Sequence, residues 1–184
     1  TTPITITAAS DSKMYDGTAL TNSGYTYTEG VLMNGDVLTA VVEGSMTDAG
    51  TATNEVTSYA VMRGDVNVTN NYTFAESVSG TLEVTKRDVT LTSATDSKVY
   101  DGTALTNGLV TVSGDGFAVG EGAAYNVTGS RLDVGTNNNT FTYTLNEGTK
   151  VENYNITPVE GTLTITPILA EITITAKSGS KKYD

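Results

Sequence analysis

The chain has 184 residues, with 10 Lys and Arg against 21 Asp and Glu, a formal net charge of -11, and no Cys, His or Trp. The missing residue types exclude zinc fingers, haem and iron–sulfur ligation, disulfide scaffolds and any Ser-His-Asp or Cys-His catalytic set. The acidic balance opposes binding to nucleic acid or to anionic membrane surfaces, and no run of about 18 apolar residues is present to span a bilayer.

Thr is the commonest residue, at 35, with 19 Val and 19 Gly. Thr and Val are stiff at χ1 and suit pleated strands. The first predicted element is Ile4–Ala8, where Ile4 and Ile6 alternate with Thr5 and Thr7. A period of two places one face on a core and one in water. The stretch 11–22, DSKMYDGTALTN, holds an Asp-Gly turn signal. Strands are expected near 25–28, 37–43, 56–62 and 72–76, divided by Asn34-Gly35-Asp36 and Gly64-Asp65. The unit closes on GTLEVT, 80–85, where Leu82 and Val84 point inward.

The pattern then starts again. Residues 96–107, DSKVYDGTALTN, match 11–22 at eleven of twelve positions, 85 residues on. The same spacing links ITITA (4–8) to VTLTS (89–93) and SMTDAGT (45–51) to SRLDVGT (130–136). Asn71-Tyr72 returns as Asn153-Tyr154, and GTLEVT as GTLTIT at 161–166. Strands are expected near 109–113, 123–128, 140–145 and 154–157. A third opening, ITITA at 172–176, runs to SKKYD at 180–184. The sequence thus reads as repeats over 1–86 and 87–169 with the start of a third over 170–184, a piece of a longer array. About seven short strands per repeat is the expectation for an immunoglobulin-like β-sandwich, so the fold class is all-β, two tandem sandwiches. The joints, Lys86-Arg87-Asp88 and Pro167 to Glu171, are short and not Gly/Ser-rich, which points to stiff connections. The 170–184 stub has no domain to complete and is expected to lean on the second repeat or on a neighbour's strand edge.

The sharpest motif is Lys13, Tyr15, Asp16, Gly17, Thr18 and its copy Lys98, Tyr100, Asp101, Gly102, Thr103. Two readings fit. As structure, Gly accepts positive φ, Asp bonds the local backbone and Tyr buries its ring beside the turn. As function, the same residues would form a shared ligand loop. The corner Asp48-Ala49-Gly50-Thr51, with Asp133-Val134-Gly135-Thr136, reads as an Asx-type turn, because Ala52 and Asn137 stand where a tyrosine corner would need Tyr. No carboxylate pair lies in a catalytic context, so no enzyme activity and no cofactor are expected. Calcium is conceivable only through Asp88 and Glu171 at the joints. An intramolecular Lys–Asn bond would require Lys13 or Lys98 to be buried beside an Asn and a carboxylate. Tyr25, Tyr27, Tyr59, Tyr125 and Tyr143 are the aromatic candidates for a binding platform, most of them expected in the core.

A unit that opens ITITA, continues SKxYDGTAL, turns at D-x-G-T, carries Asn-Tyr and closes GTLTIT resembles the YDG/MBG-type bacterial immunoglobulin-like repeats. The resemblance covers both repeats and the third opening. It implies an extracellular place in a large, wall-anchored surface protein or adhesin, with neighbouring repeats as partners. The expected role is a non-catalytic stalk that projects other domains from the cell. The alternative is an adhesive module that binds a host or microbial glycan or protein through its loops.

Overall fold

The computed structural model describes residues 2–183. The chain is nearly all β, with 49% of residues in strands. The first half holds β1 (Ile6–Ala8), β2 (Asp11–Met14), β3 (Tyr25–Tyr27), β4 (Asp36–Glu43), β5 (Gly50–Arg63), β6 (Val66–Asn67) and β7 (Gly80–Thr85). The second holds β8 (Arg87–Ser93), β9 (Asp96–Val99), β10 (Val110–Gly114), β11 (Ala123–Val127), β12 (Gly135–Asn139), β13 (Phe141–Leu145), β14 (Tyr154–Val159) and β15 (Gly161–Thr166). The only helical turns among the described residues are two 3-10 turns, Thr69–Asn71 and Val151–Asn153, each leading into the repeated Asn-Tyr pair.

Several small sheets form. The largest has the order β2-β7-β5-β4, with β6 also on β5. The others are β1-β3, β10-β8-β14, β11-β13 and β12-β15-β9. β2, β6, β9 and β12 were not visible as strands in the sequence. β2 pairs in parallel with β7, Lys13 opposite Val84, and β9 pairs in parallel with β15, Lys98 opposite Ile165. Both carry the Asp-Ser-Lys of the motif, whose polar side chains suit an exposed edge. The strand expected near 72–76 is replaced by the turn at 69–71 and a single bridge between Ile4 and Phe74.

The chain divides into two compact units. One comprises Thr1–Leu91, Val112–Tyr125 and Tyr143–Val159; the other comprises Thr92–Thr111, Asn126–Thr142 and Glu160–Asp184. The first is built on Ile4, Ile6, Leu38 and Val61, with Tyr25, Val56, Tyr72 and Phe74 packed round them. The second is built on Leu105, Leu163 and Ile165. The alternation of the closing strands falls as expected: Leu82 and Val84 in β7, and Leu163 and Ile165 in β15, are buried, with the intervening Thr and Glu turned outward.

The third opening behaves differently. Residues 167–183 form no strand and every one of them is exposed, including Ile172 and Ile174, whose counterparts Ile4 and Ile6 are core residues. The expected leaning of this segment on the second repeat is therefore not found. The same five residues, ITITA, are core in one place and solvated in another. The strand needs a partner such as β3 and the 73–78 segment before its isoleucines have anything to pack on.

Candidate functional site

The motif loop is closed on itself. β2 delivers Lys13, whose Nζ donates to Asp16 Oδ1 at 2.7 Å and to Thr18 Oγ1 at 2.7 Å. The Thr18 backbone N–H and hydroxyl also donate to Asp16 Oδ1, at 2.9 and 2.7 Å. Gly17, between them, has φ of +82°, which a Cβ would strain. The copy repeats each contact: Lys98 to Asp101 at 2.9 Å and to Thr103 at 2.7 Å, and the Thr103 N–H to Asp101 at 2.9 Å. The facing lysine and then the threonine donors hold both aspartates far below the usual carboxylate range. Neither lysine meets an Asn, so the arrangement that a Lys–Asn cross-link needs is not formed there.

The tyrosine is where the copies part. Tyr15 is 4% exposed and Tyr100 is 37% exposed. Tyr15 donates its hydroxyl to Glu121 Oε1 at 2.5 Å, and Tyr154 donates to Oε2 of the same carboxylate at 2.6 Å. The two rings pack edge to face at 5.7 Å, with Phe117 against Tyr154 at 5.1 Å. Arg87, at the start of β8, donates to the carbonyls of Tyr15, Gly116 and Asp115. All of these residues belong to the first compact unit. The bond to Glu121 and burial push the Tyr15 phenol up to about 12; burial and the same carboxylate push Tyr154 up to about 12.

A second contact lies at the D-x-G-T corner. Asp48 accepts from Lys150 Nζ at 2.5 Å and from Asn153 Nδ2 at 3.0 Å, and the Ala49 N–H donates to Asn153 Oδ1 at 2.7 Å. Asn153 is fully buried. Lys150, then Asn153, lowers the Asp48 carboxyl from its ordinary value. The Asx-type turn expected here is not formed, because the Asp48 carboxylate bonds residues more than a hundred positions away. Gly50 instead turns the chain with φ of +149°.

The first repeat carries the counterpart of the Glu121–Tyr154 pair. Tyr72 donates to Asp36 Oδ2 at 2.5 Å, and the Met33 N–H donates to Tyr72 as the Ala118 N–H does to Tyr154, both at 3.0 Å. Here Arg63 takes the place of a second tyrosine and holds both carboxylate oxygens, donating through Nε to Oδ1 at 2.5 Å and through Nη2 to Oδ2 at 3.0 Å. A cleft of about 350 Å³ lies beside it, lined by Thr2, Met33, Asp36, Arg63, Asn71 and Tyr72 among others.

Two buried polar residues escaped the sequence reading. Asn54 and Asn139, 85 residues apart, are both fully buried. Asn54 Nδ2 donates to the carbonyls of Ala9 and Asn22, each at 2.8 Å; Asn139 Nδ2 donates to those of Ala94 and Asn107, at 3.0 and 2.9 Å. Each therefore ties the end of the first strand of its repeat to the chain just past the motif loop. Their spacing was the available signal, hidden among 14 Asn.

The remaining candidates lie apart. Asp88 accepts from Asn155 at 2.8 Å, and Glu171 is in the exposed 167–183 segment. Among the described residues no group of three His, Cys, Asp or Glu side chains could hold a metal ion. None of Tyr25, Tyr27, Tyr59, Tyr125 and Tyr143 is fully buried; Tyr27 and Tyr59 are exposed, and Tyr59 stacks on Phe74 at 4.3 Å. The expectation that most of them are core residues is thus not met, and the buried tyrosines are Tyr15 and Tyr154. Among the described residues no helix is long and apolar enough to cross a membrane.

No family model, curated protein or solved structure matches the chain.

Proposed function

We propose that the chain is a pair of immunoglobulin-like β-sandwich repeats of the YDG/MBG type, working as a non-catalytic spacer in a bacterial cell-surface protein. The observation that carries this reading is the fate of the motif. Lys13, Asp16 and Thr18 bond one another, and Tyr15 bonds Glu121 and packs on Tyr154 of the next repeat. The most recognisable residues of the sequence thus fasten a loop and a joint. The Asp48–Lys150 and Asp48–Asn153 bonds add a second point of attachment at the same joint. A spacer in a surface array needs joints of this kind, since each repeat transmits load only through its neighbours.

A binding assay separates this from adhesion. The intact chain is passed over immobilised mucin and a panel of host and microbial glycans, beside a variant with Asp16→Ala and Asp101→Ala that is checked for retained β structure. The spacer reading predicts no retention of either protein. Retention of the parent chain that is lost in the folded variant would establish the loops as an adhesive site and overturn it.

A further inference from the structure

We propose that the cleft at Asp36, Asn71 and Tyr72 is a docking site for the Tyr-Asp-Gly corner of another repeat of this kind, and that a second copy of this chain fills it with its own Tyr100 corner. The chain already contains one such joint. Its offering side is Tyr15, Asp48 and Ala49; its receiving side is Glu121, Asn153 and Tyr154. Each side occurs a second time. Tyr100, Asp133 and Val134 stand 85 residues after the offering side, and Asp36, Asn71 and Tyr72 are the counterparts of the receiving side.

These second copies are open where the first are covered. Tyr15 is buried and Tyr100 exposed; Asn153 is buried and Asn71 exposed; Asp48 and Ala49 are half-buried and Asp133 and Val134 exposed. Among the described residues the Asn71 amide side chain and the Tyr100 hydroxyl make no hydrogen bond. The receiving side differs at its carboxylate: Arg63 donates through Nε to Asp36 Oδ1 at 2.5 Å and through Nη2 to Oδ2 at 3.0 Å, so an incoming Tyr100 hydroxyl meets the guanidinium, and the corner is received by the Asn71 side chain and the cleft. Asp36 already accepts from Tyr72 as Glu121 does from Tyr154, and the tyrosine oxygen is held by the same backbone position, Met33 or Ala118. The cleft beside them is about 350 Å³, a volume that accommodates an aromatic side chain.

A second difference sets the electrostatics. The second repeat offers Lys150 to Asp48, whereas position 68, its counterpart, is Val. The cation at the first-repeat site is Arg63, on the rim, with its side chain 56% exposed. A guanidinium there has donors to spare for an incoming carboxylate, and the Tyr100 corner brings Asp101 and Asp133. The docked arrangement is head to tail, one offering side into one receiving side, so association continues beyond a dimer.

Sedimentation velocity on the intact chain tests this. The protein is run from about 10 μM to about 1 mM, at about 0.15 M salt, where a Debye length of about 8 Å screens the mutual repulsion of two acidic copies. The weight-average mass is expected to rise with concentration past that of a dimer. Tyr100→Ala and Asn71→Ala, both at exposed positions, should each weaken association about tenfold or more, a change of at least about 1.4 kcal/mol. Circular dichroism confirms that each variant is folded. An equimolar mixture of the two variants retains one intact offering side and one intact receiving side, so it should regain association and stop at a one-to-one dimer. A constant mass of 19.2 kDa for the parent chain across the range overturns the proposal. So does association as strong in either variant as in the parent chain, or a mixture that behaves as its separate components. The spacer reading does not depend on the outcome, because it rests on the joint within the chain.

Discussion

Asn139→Asp is expected to destabilise the fold by about 3–5 kcal/mol at neutral pH, more than Asn139→Ala, although Asp is nearly the same shape. The Asn139 amide is fully buried and donates to the carbonyls of Ala94 and Asn107. Its Oδ1 has no partner among the described residues. Exchange for Ala removes one unpartnered acceptor and orphans two carbonyls, a net loss of about 1–3 kcal/mol. Exchange for Asp leaves the same two carbonyls facing a carboxylate that can donate nothing, in a site closed to water. A Cβ at Gly129 would lie 2.2 Å from Asn139 Oδ1, so the walls leave no room for a hydration shell. The buried carboxyl has its pKa raised, and its protonated form regains one donor. The penalty in the Asp variant is therefore smallest at acid pH and grows as pH rises through that raised value. The parent chain runs the other way. Its lowered carboxylates, Asp16, Asp48 and Asp101, contribute stability that is present above the ordinary Asp range and lost as pH falls through their folded values. Urea melts at pH 7 and pH 4 should show the gap between parent and Asn139→Asp narrowing in acid. Asn54→Asp should behave alike. A variant as stable as the parent at pH 7 would mean that the amide is not the tie between strand and loop.

Leu163→Ala is expected to cost about 2–5 kcal/mol, a large part of the stability of a small domain. Leu163 is fully buried in β15 and clusters with the buried Ile165 and Leu105. β15 lies between β12 and β9, so its backbone cannot shift toward the space without disturbing two ladders. Leu82→Ala in β7, between β5 and β2, should cost a similar amount. Thr162→Ala, one residue before Leu163 and facing the other side of the sheet, should change stability by less than about 0.5 kcal/mol. Denaturant unfolding read by circular dichroism measures all three. Equal midpoints for Leu163→Ala and Thr162→Ala would contradict the inward face assigned to β15.

Much of this fold was legible because the closing strands alternate cleanly. Leu82, Val84, Leu163 and Ile165 each sit between polar neighbours, and period two left one face for the core. β2 and β9 were not legible, since Asp-Ser-Lys gives no apolar alternation; these strands are held by parallel pairing to β7 and β15, a long-range fact. β12, Gly135–Asn139, reads Gly-Thr-Asn-Asn-Asn, a composition that suggests a loop. It is a strand because β15 supplies its ladder and because Asn139 is fixed at its end. The motif shows the limit most sharply. DSKMYDGTALTN and DSKVYDGTALTN differ at one position, and the lysine, aspartate and threonine bonds are the same in both. That knot is local, within six residues, and sequence can carry it. Whether the tyrosine is buried depends on Glu121 and Tyr154, about 105 and 140 positions further along the chain from Tyr15, and no inspection of the motif could have told Tyr15 from Tyr100.

Tyr15 is clasped by the Glu121 carboxylate and the Tyr154 ring, and alkaline titration reads that clasp out. Phenolate formation is followed by absorbance on the intact chain and on Tyr15→Phe and Tyr154→Phe. Both hydroxyls donate to one carboxylate, so their neutral forms stabilise the joint; that contribution is complete below the ordinary tyrosine value of 10 and is lost as pH rises through about 12. Each substitution should remove one tyrosine from the fraction titrating near pH 12. If Tyr15→Phe instead removes one that titrates near pH 10, Tyr15 is not held by Glu121 and the clasp does not exist.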